Sequence, residues 1–293
     1  MSRRAGLGFA LTTTALWGVW GAFAGLPAEY GFPDTLVYVV WAFTMIPPAL
    51  YALARNGWKL EHDRRSVLFG ALIGFTGAGG QMLLFHALRT GPSYLIFPLI
   101  ALSPLVTIVF SVGWLKERVG WVGALGIVAA LLSLPLFDYE PGERASGFGV
   151  AWFVYALIIL LAWGVQAFFM KLANRSMSAE SIFVYMTVTG LALIPIALYM
   201  TDFSQPINYG LSGPGLAAAT QILNAVGALT IVYAFRYGKA LVVAPLTNAG
   251  APLITSLIAL ALLQVVPPPL KLAAMALAFV AAALLAIEPE EAA

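Results

Sequence analysis

The 293-residue chain contains no cysteine. That removes disulfides and thiolate metal sites, and it leaves the redox compartment unread. Charge is scarce: Asp, Glu, Lys and Arg make up 10% of the residues, against about 25% in an average soluble domain. A net charge of +2 is too small to point to nucleic acid as a partner. No paired Ser/His/Asp set, phosphate-cradling loop or metal-ligand spacing is present. The sequence therefore gives an enzyme, a cofactor or a bound metal nothing to attach to. Histidine occurs twice.

What fills the chain is apolar. Hydrophobic residues make up 61% and the mean hydropathy is +0.91, values that belong to an integral membrane protein. A spanning helix needs about 20 mostly apolar residues. Such runs cover 5–26, 34–54, 66–88, 91–114, 119–137, 147–170, 181–200, 214–235, 240–263 and 269–287. The first is too long for the apolar core of a signal peptide and is read as a retained span.

One stretch occurs twice. Arg89-Thr-Gly91-Pro-Ser-Tyr94-Leu-Ile-Phe97-Pro98 and Arg236-Tyr-Gly238-Lys-Ala-Leu-Val-Val-Ala-Pro245 share Arg-x-Gly-(six residues)-Pro at an offset of 147 residues. Leu16-Trp17-Gly18-Val19 and Ala162-Trp163-Gly164-Val165 match at 146. Two matches at nearly one offset, half the chain length, point to a duplication. The halves are 1–140 and 147–293, each with five spans, together forming one compact membrane domain. With the N-terminus inside, twelve of the fifteen Lys and Arg fall on the inner side, so both termini are expected in the cytoplasm. An odd number of spans per half forces the second copy to run the opposite way. The expected fold is all-α: ten transmembrane helices built from two inverted five-helix repeats around a central cavity, where transporters commonly bind substrate.

The Trp-Gly pair in the first span of each half and the Gly-(six residues)-Pro start in the fourth resemble the drug/metabolite transporter superfamily, and within it the EamA-type exporters. The opening Leu11-Thr-Thr-Thr-Ala-Leu-Trp17-Gly-Val-Trp20-Gly21 is similar to bacterial aromatic amino acid exporters of that type. The resemblance covers essentially the whole chain. It implies a multi-pass protein of the bacterial cell inner membrane that exports amino acids and related metabolites. The chain departs from the pattern where the first half ends Trp114-Leu-Lys-Glu117-Arg118 and the second has Gln264-Val-Val-Pro-Pro-Pro.

By these spans all thirteen acids, Asp34, Glu61 and Glu180 among them, stand in loops or at span ends. Buried carboxylates are the usual membrane proton relays, so none is expected here. His86 lies near the outer end of the third span, either as a proton carrier or as a hydrogen-bonded packing residue. Amides inside apolar runs need partners, which are either other helices or a wet cavity. Thr13, Trp17, Trp20 and Gly21 share one helical face; Trp163, Gln166 and Met170 share another. Gly74, Gly77, Ala78, Gln81 and Phe85 line the third span, and Thr220, Asn224, Gly227 and Ile231 the eighth. Prolines interrupt the fourth span (Pro98, Pro104) and the ninth (Pro245, Pro252), and matched interruptions point to a transport site.

The expected substrate-binding set is therefore Trp17, Trp20, Gln81, Tyr94, Phe97, Trp163, Gln166, Asn224 and Asn248, with helix breaks at Pro98 and Pro245. Aromatic faces would take an apolar side chain or an ammonium group; the amides would take the polar end. The expected partners are a small-molecule substrate (amino acids, amphipathic metabolites) and membrane lipid; no obligate protein partner is evident. The reading is a carrier exporting amino acids, aromatic ones included, without a carboxylate proton relay. The alternative is a multidrug exporter for aromatic organic cations. A channel or a membrane enzyme lacks the matching pattern.

The topology predicts that a cysteine placed at Glu140 is labelled by an impermeant thiol reagent on intact spheroplasts, and that one at Glu61 is spared. The reverse pattern overturns it.

Overall fold

In hydrocarbon every backbone N–H and C=O must be satisfied within the protein, which leaves helices and closed barrels as spanning structures. The computed structural model describes residues 3–115, 120–138, 149–173, 176–237 and 246–287, and among these there are helices and no strands. In chain order they are α1 (Arg3–Phe23), α2 (Leu26–Glu29), α3 (Asp34–Thr44), α4 (Ile46–Arg55), α5 (Arg64–Thr90), α6 (Ser93–Ile100), α7 (Ser103–Leu115), α8 (Trp121–Asp138), α9 (Ala151–Ala173), α10 (Ala179–Ala192), α11 (Ile194–Tyr199), α12 (Leu216–Tyr237), α13 (Ala251–Leu263) and α14 (Pro269–Ile287). One π-helical turn precedes each of α12 and α13.

Several spans are made of two helices in series. The second and seventh break at Met45 and Leu193, just before Pro47-Pro48 and Pro195, which stand at the starts of α4 and α11. Proline suits the first turn of a helix, where its missing N–H has no partner to lose. The fourth span breaks at Ala101-Leu102, between Pro98 inside α6 and Pro104 at the start of α7. Among the described residues seven helical stretches are long and apolar enough to cross a bilayer, and three shorter apolar helices accompany them. The expected ten spans fit this loosely.

The halves pack by exchange. The first helix of one lies on the third span of the other: α1 packs on α12, and α9 packs on α5. The fourth and fifth spans follow the same rule, with α1 on α13, α7 on α9, and α8 on α14.

Two rims close the ends of this bundle. At the first, Asn208 donates from Nδ2 to the Tyr30 carbonyl (2.8 Å) and from its backbone N–H to that of Gly31 (3.0 Å). Thr35 and Thr201 join by their hydroxyls (2.7 Å). At the second rim, before the N-terminus of α5, the Glu61 carboxylate accepts from the Ser178 N–H (3.3 Å) and hydroxyl (3.1 Å). The Tyr185 hydroxyl donates to the Glu61 carbonyl (2.7 Å). Glu61 and Asn208 are 147 residues apart, as are Gly31 and Ser178. The two ties are thus the same tie at opposite ends of α5, made once by a carboxylate and once by an amide.

Partial burial alone would raise the Glu61 carboxyl, but hydrogen bonds from Ser181 and Ser178 outweigh it and hold it below its ordinary value of 4.5. A carboxylate lowered on folding stabilises the fold above that value, and the contribution is lost as the pH falls through the lowered pKa. Thermal unfolding in detergent should therefore weaken on acidification below about pH 4.5 less steeply in Glu61→Gln than in the native chain. Parallel curves would exclude Glu61 as a contributor.

Candidate functional site

An indole carries one N–H and has no acceptor. In an apolar interior that proton needs a fixed oxygen. Trp17 on α1 donates to the backbone carbonyl of Asn224 on α12 (3.2 Å). Trp163 on α9 donates to that of Gly77 on α5 (3.3 Å). Donors and acceptors are separated by 146 and 147 residues, so these are one contact made twice. A main-chain carbonyl is free to accept a second bond there because a glycine lies three residues on. A methyl group at Gly227 or Gly80 would overlap the ring of Trp17 or Trp163. The next residue repeats the pattern. The Gly18 carbonyl accepts from the Thr255 hydroxyl (2.9 Å) and the Gly164 carbonyl from that of Thr107 (2.9 Å).

Around Trp17 the α1–α12 interface carries more polar order. Trp20 donates to Gln221 Oε1 (2.8 Å), and its ring meets Phe97 edge-on at 5.9 Å. Trp41 on α3 donates to Asn224 Oδ1 (2.8 Å). Asn224 thus accepts from two indoles, by backbone and by side chain. Phe97 also reaches Gly21, beside Thr255. The Tyr94 carbonyl accepts from the Ser256 hydroxyl (3.4 Å). Around Trp163, the amide of Gln166 lies over Gly77. Gln81, one turn beyond Gly77 on α5, is 5% exposed, and its Nε2 has no hydrogen-bond partner among the described residues.

The expected site residues therefore fall into two groups. Trp17, Trp20, Phe97 and Asn224 meet at one interface between the halves. Trp163, Gln166 and Gln81 stand at the other, on α9 and α5. Trp20, Phe97, Gln81 and Asn224 are all buried. These four pack against neighbours, and no central cavity is seen among the described residues. Pro245 lies outside the described residues, as do Glu117 and the side chain of Asn248.

Three features escaped the sequence reading. Trp41 has no counterpart in the second half to draw attention to it. Gln221, an amide inside an apolar run, is the acceptor for Trp20. Asp34, expected as an exposed acid at a span end, is 6% exposed on the first turn of α3. It accepts from His86 Nδ1 (2.8 Å) and Arg89 Nη1 (3.0 Å), both on α5. Glu180, its counterpart 146 residues on, is also buried. No group of three or more metal-ligating side chains occurs among the described residues.

A helical membrane bundle of two related halves, each donating its first helix to the other, defines a polytopic protein assembled by internal duplication. The comparisons agree. The model of the EamA-like transporter family matches twice, over residues 4–137 and 150–287. The chain belongs to that family, and its role is membrane transport. A solved structure titled only "Crystal structure of protein" is similar over 97% of this chain and 98% of its own, with a TM-score of 0.65 and 18% identity; that likeness concerns the fold. No curated protein matches.

If the Trp17 and Trp163 contacts are equivalent, their disruption should cost alike. Gly227→Ala and Gly80→Ala each force an indole away, an overpacking cost of about 1–3 kcal/mol. Thermal unfolding followed by tryptophan fluorescence should show similar drops in Tm for both. A drop in one variant alone would break the equivalence.

Proposed function

We propose that this transporter is a carrier exporting amino acids, aromatic ones included, and related small amphipathic metabolites by alternating access. The two halves act as an inverted-topology pair in the bacterial inner membrane, with both termini cytoplasmic. One observation carries the substrate reading. Gln81 presents an amide donor without a partner, buried between the halves and one residue from the Gly80–Trp163 contact. An unmet buried amide costs about 1–3 kcal/mol. A substrate that brings an acceptor to Gln81 and an apolar side chain to the aromatic rings recovers that cost.

The inverted arrangement is supported by the exchanged tryptophan contacts and by the two rim ties at opposite ends of α5. With both ties made, the bundle corresponds to an occluded state. Opening one rim at a time would expose the Trp and amide groups to each side in turn. The alternative cargo, aromatic organic cations, calls for an acid at the centre. The buried acids, Asp34 and Glu180, stand instead at helix N-terminal ends, and both have partners.

The test is uptake into proteoliposomes with a panel of amino acids. Saturable flux is expected, and Gln81→Leu should reduce it several-fold while purified yield stays near the native level. Among the described residues the centre holds no Asp, Glu or His, so an imposed proton gradient should not drive accumulation above equilibrium. Flux without saturation would indicate a pore and overturn the carrier reading.

A further inference from the structure

The two rims are built alike but differ in the ring at their centre. At the first rim the Asp34 carboxylate, its side chain 7% exposed, holds His86 by one oxygen and Arg89 by the other. The His86 ring crosses to the other half and meets Tyr155 of α9 at 5.0 Å, edge to face at 74°. Adding the repeat offset gives the corresponding set at the second rim: Glu180 for Asp34, Tyr233 for His86 and Phe9 for Tyr155. That set is present. Glu180 is buried, and Phe9 and Tyr233 meet at 5.6 Å. The contact between α5 and α9 at one rim is thus repeated between α12 and α1 at the other. The difference is the ring in the middle. Tyr233 Oη is buried and lacks a hydrogen-bond partner among the described residues. The His86 side chain is 45% exposed on the bundle surface.

We propose that His86 is an acid-sensing site that latches the first rim. An imidazole changes charge between about pH 5 and 8, and a phenol does not. A proton on His86 strengthens its bond to Asp34, because a charge-assisted bond is the stronger kind. It also turns the contact with Tyr155 into a cation on an aromatic face. Parting α5 from α9 loses the second gain. Closure of this rim therefore takes up a proton, and acid on this side favours the closed state. The groups around His86 agree with that sign. The helices packed against α5 are α3, α6, α9 and α10. Among their described residues α3 contributes Asp34 and Tyr38, α9 Tyr155 and α6 Tyr94, while α10 carries Glu180 and brings Tyr185 to Gly70, near the other end of α5. Among the described residues of α5 near His86, Arg89 opposes a second positive charge, and it is half exposed and engaged by the other Asp34 oxygen. The site sets a rate and not a direction, because the matching position of the second rim holds Tyr233; His62, next to Glu61 at that rim, is exposed and bonds to the Leu60 carbonyl of its own segment. By the expected topology the first rim faces outward.

The chain's lack of cysteine allows a test that needs no substrate. Ala87→Cys places a thiol beside His86 at a fully buried position, and Tyr30→Cys gives an exposed control on the same rim. An impermeant thiol reagent is applied to spheroplasts between pH 5.5 and 8, and the rate at Ala87→Cys is divided by the control rate to cancel thiol ionisation. The ratio should fall several-fold towards acid. It should become flat when His86→Tyr, which copies the second rim, is added, and His86→Gln is the fallback if that variant does not fold. A flat ratio with His86 present, or an equal slope without it, overturns the proposal. A control that is not labelled from outside overturns the orientation instead, and the assay is then repeated on inside-out vesicles.

Discussion

Neither half of this protein can satisfy its own tryptophans. Each carries an indole N–H deep in an apolar span, and each finds its oxygen on the backbone of the other half. A polar bond between helices in a bilayer averages only about 0.6 kcal/mol net, so the strength of these bonds is not what matters. They matter because the proton has nowhere else to go. Bulk indole, glycine and carbonyl have to coincide, and that fixes the depth and rotation of α1 on α12 and of α9 on α5. The remaining interfaces follow from those two placements. Thr255 and Thr107 find the carbonyls of Gly18 and Gly164 one residue along from the tryptophans, and Trp20 then reaches Gln221.

Much of this was legible in the chain, and the reason is duplication. The Trp-Gly-Val match marked Trp17 and Trp163 as equivalent, and the stripes on the third and eighth spans marked faces of small residues, although Gly80 beneath Trp163 was not among them. Periodicity shows that a face is special without showing what lies on it. The exchange of first helices between halves, which pairs residues 207 positions apart in the case of Trp17 and Asn224, could not be read from it. Asp34 shows the same limit. As a single acid at a span start it reads as solvent-facing. It is buried because His86 and Arg89, 52 and 55 positions away, fold back on it. Pro47 and Pro195 were passed over for the prolines of the fourth and ninth spans. They break the second and seventh spans at matching points.

The place of the unmet polarity is also informative. Buried polar groups in the described part of the molecule are largely paired, by caps, by backbone carbonyls or by each other. The exceptions are two atoms, on Gln81 and Tyr233. One lies between the halves and the other at a rim. Membership of a transporter family gives both positions a meaning that a purely structural protein would not. A carrier has to leave some demand unfilled in one state so that cargo or movement can fill it in another.

The exchanged helices also set a problem for synthesis. Trp17 enters the bilayer with the first span, and the carbonyl it needs belongs to the eighth. At about 5–20 residues per second the ribosome needs roughly 10–40 seconds to cover the gap of 207 residues. During that interval α1 has neither α12 against its glycine face nor the acceptors on α12 for its indoles. The helix that opens the chain is thus among the last to find its seat. A cell that makes this protein must either shelter that helix at the insertion machinery or tolerate its wandering. Slow codons or a stalled ribosome between the halves would then harm assembly more than the same delay at the end of the chain.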